Sequence, residues 1–360
     1  MIERRIENRQ IVSIFSLFLL GQLLALFLII LGLPYALQLE NIIASPTNIL
    51  STVVSIILDI VVIALIFSFI FKLYKNNTIF RILEGYIIIL GSGSIFFLTI
   101  MSFFGIYISL LYSLLIAFIL SLLLLYIKTM KKQNPKIRNI TTLLSSVGLG
   151  ILIGVGFGNI LLLYILMAVF AVYDYLAVFV MKFMIPMAKQ AVNMNLAFMI
   201  SSSDIEAIPK KDFSKKEISE FNTYVKKNKH YSEHLKEIIK RGSFPTLSSI
   251  MLGNGDIMLP VAVATGSYAA TYNLFLSTLI VIFSGLGVIT TMFILRKYKV
   301  GLPAIPPLFS FISFAFAIFF ILEDPTQTFF IILFISVAII SMGALLITLR
   351  KLIKNQKGLV

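Results

Sequence analysis

The sequence predicts an all-α fold, a polytopic transmembrane helical bundle of about nine to ten spans. Three observations predict it. Of 360 residues, 59% are hydrophobic and the mean hydropathy is +1.00, above the roughly 45–50% apolar share of an ordinary globular domain. Apolar runs of about 20 residues recur along the chain, the length at which an α-helix crosses a bilayer's hydrocarbon core, and no alternating strand pattern points to a barrel. Finally, every second connection between the runs is rich in Lys and Arg, as cytoplasmic loops are.

The first ten residues, MIERRIENRQ, are charged and precede an apolar run without a small-residue cleavage site, so a retained first span is expected over about 11-36. The second, about 50-73, contains Asp59, read as a helix-packing or cavity-facing polar residue. Spans over about 79-104, 107-127, 139-156 and 158-186 follow, with Glu84 near the start of the third. The fifth and sixth are divided only by GVGFGN, and merging them would break the charge alternation. Residues 187-245 are hydrophilic and basic, and the same rule puts this loop and both termini in the cytoplasm. Within it, 214-240 suits either an amphipathic surface helix or a mobile segment. The last spans are expected at about 246-268, 272-295, 303-322 and 327-349. The chain thus divides into an N-terminal six-helix bundle (1-186), the loop (187-245), a three-helix part (246-326), and an extra helix with a basic tail (327-360).

Composition also excludes. The net charge of +14 resides mainly in the connections, where it sets orientation, so nucleic acid is not an expected partner, whereas the lipid bilayer is. Without cysteine there are no disulfides and no thiol catalysis. His230 and His234 in HYSEH match an H-x-x-E-H pattern, but they lie in a Lys-rich loop with no obvious third ligand and read as a solvated face. No metal or organic cofactor is expected. Glycines 148, 150, 154, 156 and 158 follow no strand and precede no Lys-Ser, so helix packing explains them better than a nucleotide loop.

Carboxylates within spans need a compensating environment or a role. Asp174, in AVYDYLAVF, lies ~12 Å of helix before Lys182; Asp256, in GNGD, lies ~16 Å after Pro245 if all helical. Both are reached from the cytoplasmic side, at similar depth. Two close carboxylates share one proton, one acting as base toward water and the other as acid toward a peptide carbonyl, which suits an aspartyl protease. Gly253 and Gly255 remove bulk beside Asp256 and favour a kink. In GLPAIPPLFS, prolines 303, 306 and 307 predict extended or irregular backbone able to hold an unwound substrate strand.

In this order, YD, GNGD and LPAIPP resemble the YD, GxGD and PAL motifs of the presenilin and signal peptide peptidase family of intramembrane aspartyl proteases, and the flanking stretches YDYLAVFVMKFMIPMA and GNGDIMLPVAV look most like archaeal members. The resemblance runs from the first span through about residue 322. It implies Asp174 and Asp256 as the catalytic pair, Tyr173, Gly253 and Gly255 as site-shaping residues, and Pro303, Ala304 and Ile305 as the substrate-side loop. It further implies transmembrane or signal-peptide substrates and an archaeal plasma membrane. The chain departs from the family in its tenth span, in Ile305 where Leu is usual, and in polar Asn254 at the variable GxGD position. The alternative is a proton-coupled secondary transporter of five plus five inverted repeats, though the halves show no self-similarity. A prepilin-type peptidase also carries GxGD but gives no reason for the proline segment.

Overall fold

Helix boundaries follow short polar residues, glycine and proline. A computed structural model describes residues 8–43, 77–105, 107–131, 134–181, 184–209, 243–298 and 303–357. In chain order they form α1 (Asn8–Ile43), α2 (Asn77–Phe104), α3 (Leu110–Met130), α4 (Pro135–Phe157), α5 (Ile160–Phe179), α6 (Met184–Asn193), β1 (Met199–Pro209), β2 (Ser243–Gly253), α7 (Asn254–Thr271), α8 (Leu274–Tyr298), α9 (Ile305–Glu323) and α10 (Thr328–Lys357). Eight of these ten helices, all but α6 and α7, are long and apolar enough to cross a membrane. The expected span over 50-73 with Asp59, the segment 214-240 and the histidine pair lie outside the described residues.

The α4–α5 division has a clear physical basis. Gly158 closes α4 in the left-handed region at φ 53°, and the Asn159 side chain accepts the Leu161 N–H at 2.8 Å to open α5. Asn134 starts α4 likewise, accepting the Lys136 N–H at 3.0 Å with Pro135 at the first helical position. Between α9 and α10, Asp324 accepts from the Gln327 side-chain amide at 2.7 Å and from the Thr326 hydroxyl at 2.5 Å, tightening the acidic turn.

The chain forms two compact units, Met1–Ile14 with Ser201–Met251, and Phe15–Ile200 with Leu252–Val360. The first holds the start of α1 and most of β1 and β2, which pair as a two-stranded sheet. The second holds the bundle and both aspartates. At its centre α7 packs against α4, α5, α8 and α9. Protein surrounds α7, so Ala, Gly, Ser and Thr replace lipid-facing bulk, and Val261, Ala262, Thr265, Gly266 and Ser267 are all buried. A Cβ at Gly150 would lie 2.7 Å from the Met258 carbonyl oxygen, and one at Gly154 would lie 2.5 Å from that of Ala262. These two glycines therefore allow α4 and α7 to approach backbone to backbone, and Gly148 does the same toward α2 at Gly91. Gly156 faces open space.

Three sequence expectations change. The run 246-268 is not one helix: its first part is β2 and α7 begins at Asn254, so Asp256 lies in the first helical turn rather than ~16 Å along a helix. The expected kink is a strand-to-helix junction. The run 158-186 divides into α5 and the separate α6. Among the described residues of the proline segment, Pro303 and Ala304 are irregular and the chain is helical from Ile305, because Pro306 and Pro307 sit in the first turn, where no N–H is needed.

Candidate active site

The site grows from two helix starts and one helix end. Asp174 is near the C-terminal end of α5 and only 3% exposed. Its Oδ2 accepts the Ile305 N–H at 3.1 Å, and the Ala304 amide donates to the same carboxylate. The first N–H groups of a helix have no intrahelical partner and carry partial positive charge, so the carboxylate satisfies and complements the start of α9. Pro306 and Pro307 add no further donors, and Pro307 has no N–H to offer the Pro303 carbonyl. Pro303 and Ile305 are buried.

Asp256 occupies the third position of α7, where its Oδ2 accepts the Gly253 N–H at 3.0 Å. This is the reach-back half of a capping box; glycine has no side chain to make the other half. Gly253 has φ −69° and ψ 156°, which any residue adopts, but a Cβ there would stand 3.1 Å from Asp256 Oδ2. The requirement for glycine is spatial. A Cβ on Gly255 would meet nothing within 4 Å.

Helices α5 and α7 are packed neighbours, and Asp174 acts on Asp256 as a like charge. The fold thus brings the two carboxylates within electrostatic reach of each other. Tyr173 is partly buried in the field of Asp174. Polar Asn254 turns toward α4, where its Oδ1 accepts from the Ser146 hydroxyl, while its backbone N–H donates to the Phe198 carbonyl at 2.9 Å. Nothing in the sequence marks Ser146 as that partner. Another partner missed from sequence is Thr348 on α10, whose hydroxyl bonds the Tyr175 hydroxyl one residue past Asp174. Among the described residues no three His, Cys, Asp or Glu side chains converge as a metal site would require.

The family model described as signal-peptide peptidase, presenilin aspartyl protease matches residues 15–322. The chain belongs to this family. No curated protein gives a significant match. As a signal-peptide peptidase and presenilin family member, the chain is an integral membrane protein of an aspartyl protease family that acts on transmembrane or signal-peptide substrates within the membrane. The transporter alternative is not favoured. The family match ends before α10, which is stitched to the site's own helices: Ser341 Oγ donates to the Pro306 carbonyl at 3.1 Å, and Ser310 Oγ of α9 donates to the Ala338 carbonyl at 2.7 Å. Phe334 of α10 adds an edge-on contact to Tyr164 of α5, with ring centroids 4.9 Å apart.

Proposed function

We propose that Asp174 and Asp256 are a catalytic dyad that hydrolyses peptide bonds within transmembrane helices or remnant signal peptides, without metal or organic cofactor and without a nucleic-acid partner. The observation that carries this reading is the approach of two carboxylates, from the end of α5 and the first turn of α7, which pack as neighbours. Like charges at short range favour one shared proton. The ionised carboxylate takes a proton from water as the water oxygen attacks the substrate carbonyl carbon, and the protonated partner donates to the carbonyl oxygen. As the resulting diol collapses and its C–N bond breaks, the protonated carboxyl of the dyad donates to the leaving amine nitrogen and the ionised partner takes the proton of one diol hydroxyl, which restores the singly protonated dyad.

Roles for the surrounding residues follow. Tyr173, Gly253 and Gly255 shape the site, Gly255 by leaving room on the open side of Asp256. The Ala304 and Ile305 amides hold Asp174, so a substrate strand at this loop is left the carbonyl of Pro303, which lacks a helical donor. By the charge alternation and the archaeal resemblance, the protein resides in an archaeal plasma membrane with its termini and the 187-245 loop cytoplasmic.

The test is cleavage of a reporter transmembrane peptide by purified protein in proteoliposomes. An aspartyl transition-state mimic is expected to stop it and a chelator to leave it intact. Cleavage that survives the mimic but fails with chelator contradicts the dyad, and solute uptake insensitive to the mimic, without cleavage, supports transport instead.

A further inference from the structure

One buried acid, Glu84, lies outside the proposed dyad. Glu84 of α2 and Lys128 of α3 are each only 5% exposed and form an ion pair. Taking both charges out of water is expensive, and an apolar pair of similar volume is often no less stable, so packing alone gives little reason for this arrangement. The same Glu84 Oε1 also accepts the N–H of fully buried Ala197 at 2.5 Å. The next residue, Phe198, offers its carbonyl to the Asn254 N–H at 2.9 Å. Asn254 is in turn held through its side chain by Ser146, and Gly253 on its other side donates to Asp256. Phe80, one helical turn before Glu84 on the same face of α2, packs with Leu196 and Phe198, its ring centroid 6.4 Å from that of Phe198. The apolar contact anchors the 196–198 segment, and the acid fixes its register by gripping one particular amide.

We infer that Glu84, held in place by Lys128, is a positioning residue for Asp256, acting through the backbone of Ala197 and Phe198 on the Gly253–Asp256 turn. Its consequence for catalysis rests on the proposed dyad, but the mechanical linkage does not. Lys128 holds the carboxylate, the carboxylate holds Ala197, and Phe198 sets where α7 begins. The register of Asp256 toward Asp174 therefore depends on a residue more than a hundred positions earlier in the chain.

Two double variants isolate the Ala197 acceptor. Glu84→Gln/Lys128→Gln removes both charges but keeps a side-chain carbonyl for the Ala197 N–H; Glu84→Leu/Lys128→Leu removes charges and acceptor together. The glutamine pair is expected to keep kcat on the reporter peptide within about threefold of wild type. The leucine pair is expected to lose about tenfold or more in kcat with KM little changed, the size of one lost buried hydrogen bond. Hydrogen exchange at residues 197 and 253–256 gives a reading independent of cleavage: about tenfold lower protection in the leucine pair and none lost in the glutamine pair. If the leucine pair does not fold, Glu84→Met/Lys128→Met takes its place. Undiminished protection at 253–256 in the folded apolar variant overturns the inference, as does an equal loss in both doubles. A wild type that cleaves nothing, with protection lost only in the apolar double, refutes the dyad and leaves the positioning intact.

Discussion

Replacing Gly253 by alanine perturbs one carboxylate and little else. The added Cβ would stand 3.1 Å from Asp256 Oδ2 and 3.8 Å from its Cγ. An ordinary carbon–oxygen contact is about 3.4 Å or longer, so the carboxylate must give by a few tenths of an ångström and strain its 3.0 Å bond from the Gly253 N–H. The backbone at this position already has φ −69° and ψ 156°, and alanine adopts it without strain. The stability change is therefore held to about 1 kcal/mol or less, mostly from placing alanine at the helix N-cap. A 1 Å misplacement of a reacting group costs about 10²-fold, so a few tenths of an ångström predicts a kcat lowered about three- to tenfold. Steady-state cleavage of the reporter peptide in proteoliposomes, with Tm measured in parallel, checks this. At Gly255, where the added Cβ meets no protein atom, alanine is expected to raise KM more than it lowers kcat. Wild-type kcat in Gly253→Ala, or a loss of kcat matched by a collapse in Tm, would refute the reasoning.

Asn254→Leu removes the bond across to α4 but leaves the Ser146 hydroxyl the Thr142 carbonyl at 2.6 Å, so it should lower stability by only about 1 kcal/mol, read from thermal unfolding in detergent; an unchanged Tm contradicts the Ser146–Asn254 bond. A dyad sharing one proton predicts that kcat/KM falls on both the acid and the alkaline side of a maximum while the protein stays folded, and a monotonic profile contradicts the shared proton. In the turn between α9 and α10, hydrogen bonds from the Thr326 and Gln327 side chains hold Asp324 below the usual carboxylate range. Its contribution to stability is then complete above the ordinary aspartate range and fades as pH falls through the lowered value. Unfolding of Asp324→Asn against pH should lack that acid-side component.

The sequence made some elements legible because the signals are local. The division at GVGFGN is made by Gly158 and Asn159, chemistry confined to two residues, whereas the helix expected from 139 starts earlier, at Pro135 after the Asn134 cap. Motif order and charge alternation likewise single out Asp174 and Asp256. The run from 246 is ambiguous in sequence because a continuous apolar stretch suits a buried strand as well as a helix, and what selects the strand is pairing with 199–209, far away in the chain. Three prolines indicate a break, but Pro306 and Pro307 are compatible with a first helical turn and the helix includes them. Illegible altogether were the long-range bonds that fix the site: the Ala304 and Ile305 amides on Asp174, Ser146 on Asn254, and Glu84 on Ala197. Each joins residues whose types are common in membrane helices, and only the packed bundle brings them together.

Cleavage of one reporter peptide by wild type, Asp174→Asn and Asp256→Asn, reconstituted side by side and matched for folding, tests the dyad most directly. Asparagine keeps the shape of each carboxylate but can neither ionise nor pass on the shared proton. Product from the wild type alone, with at least about 10³-fold less from either variant, is the predicted result. Robust cleavage by either folded asparagine variant would contradict it.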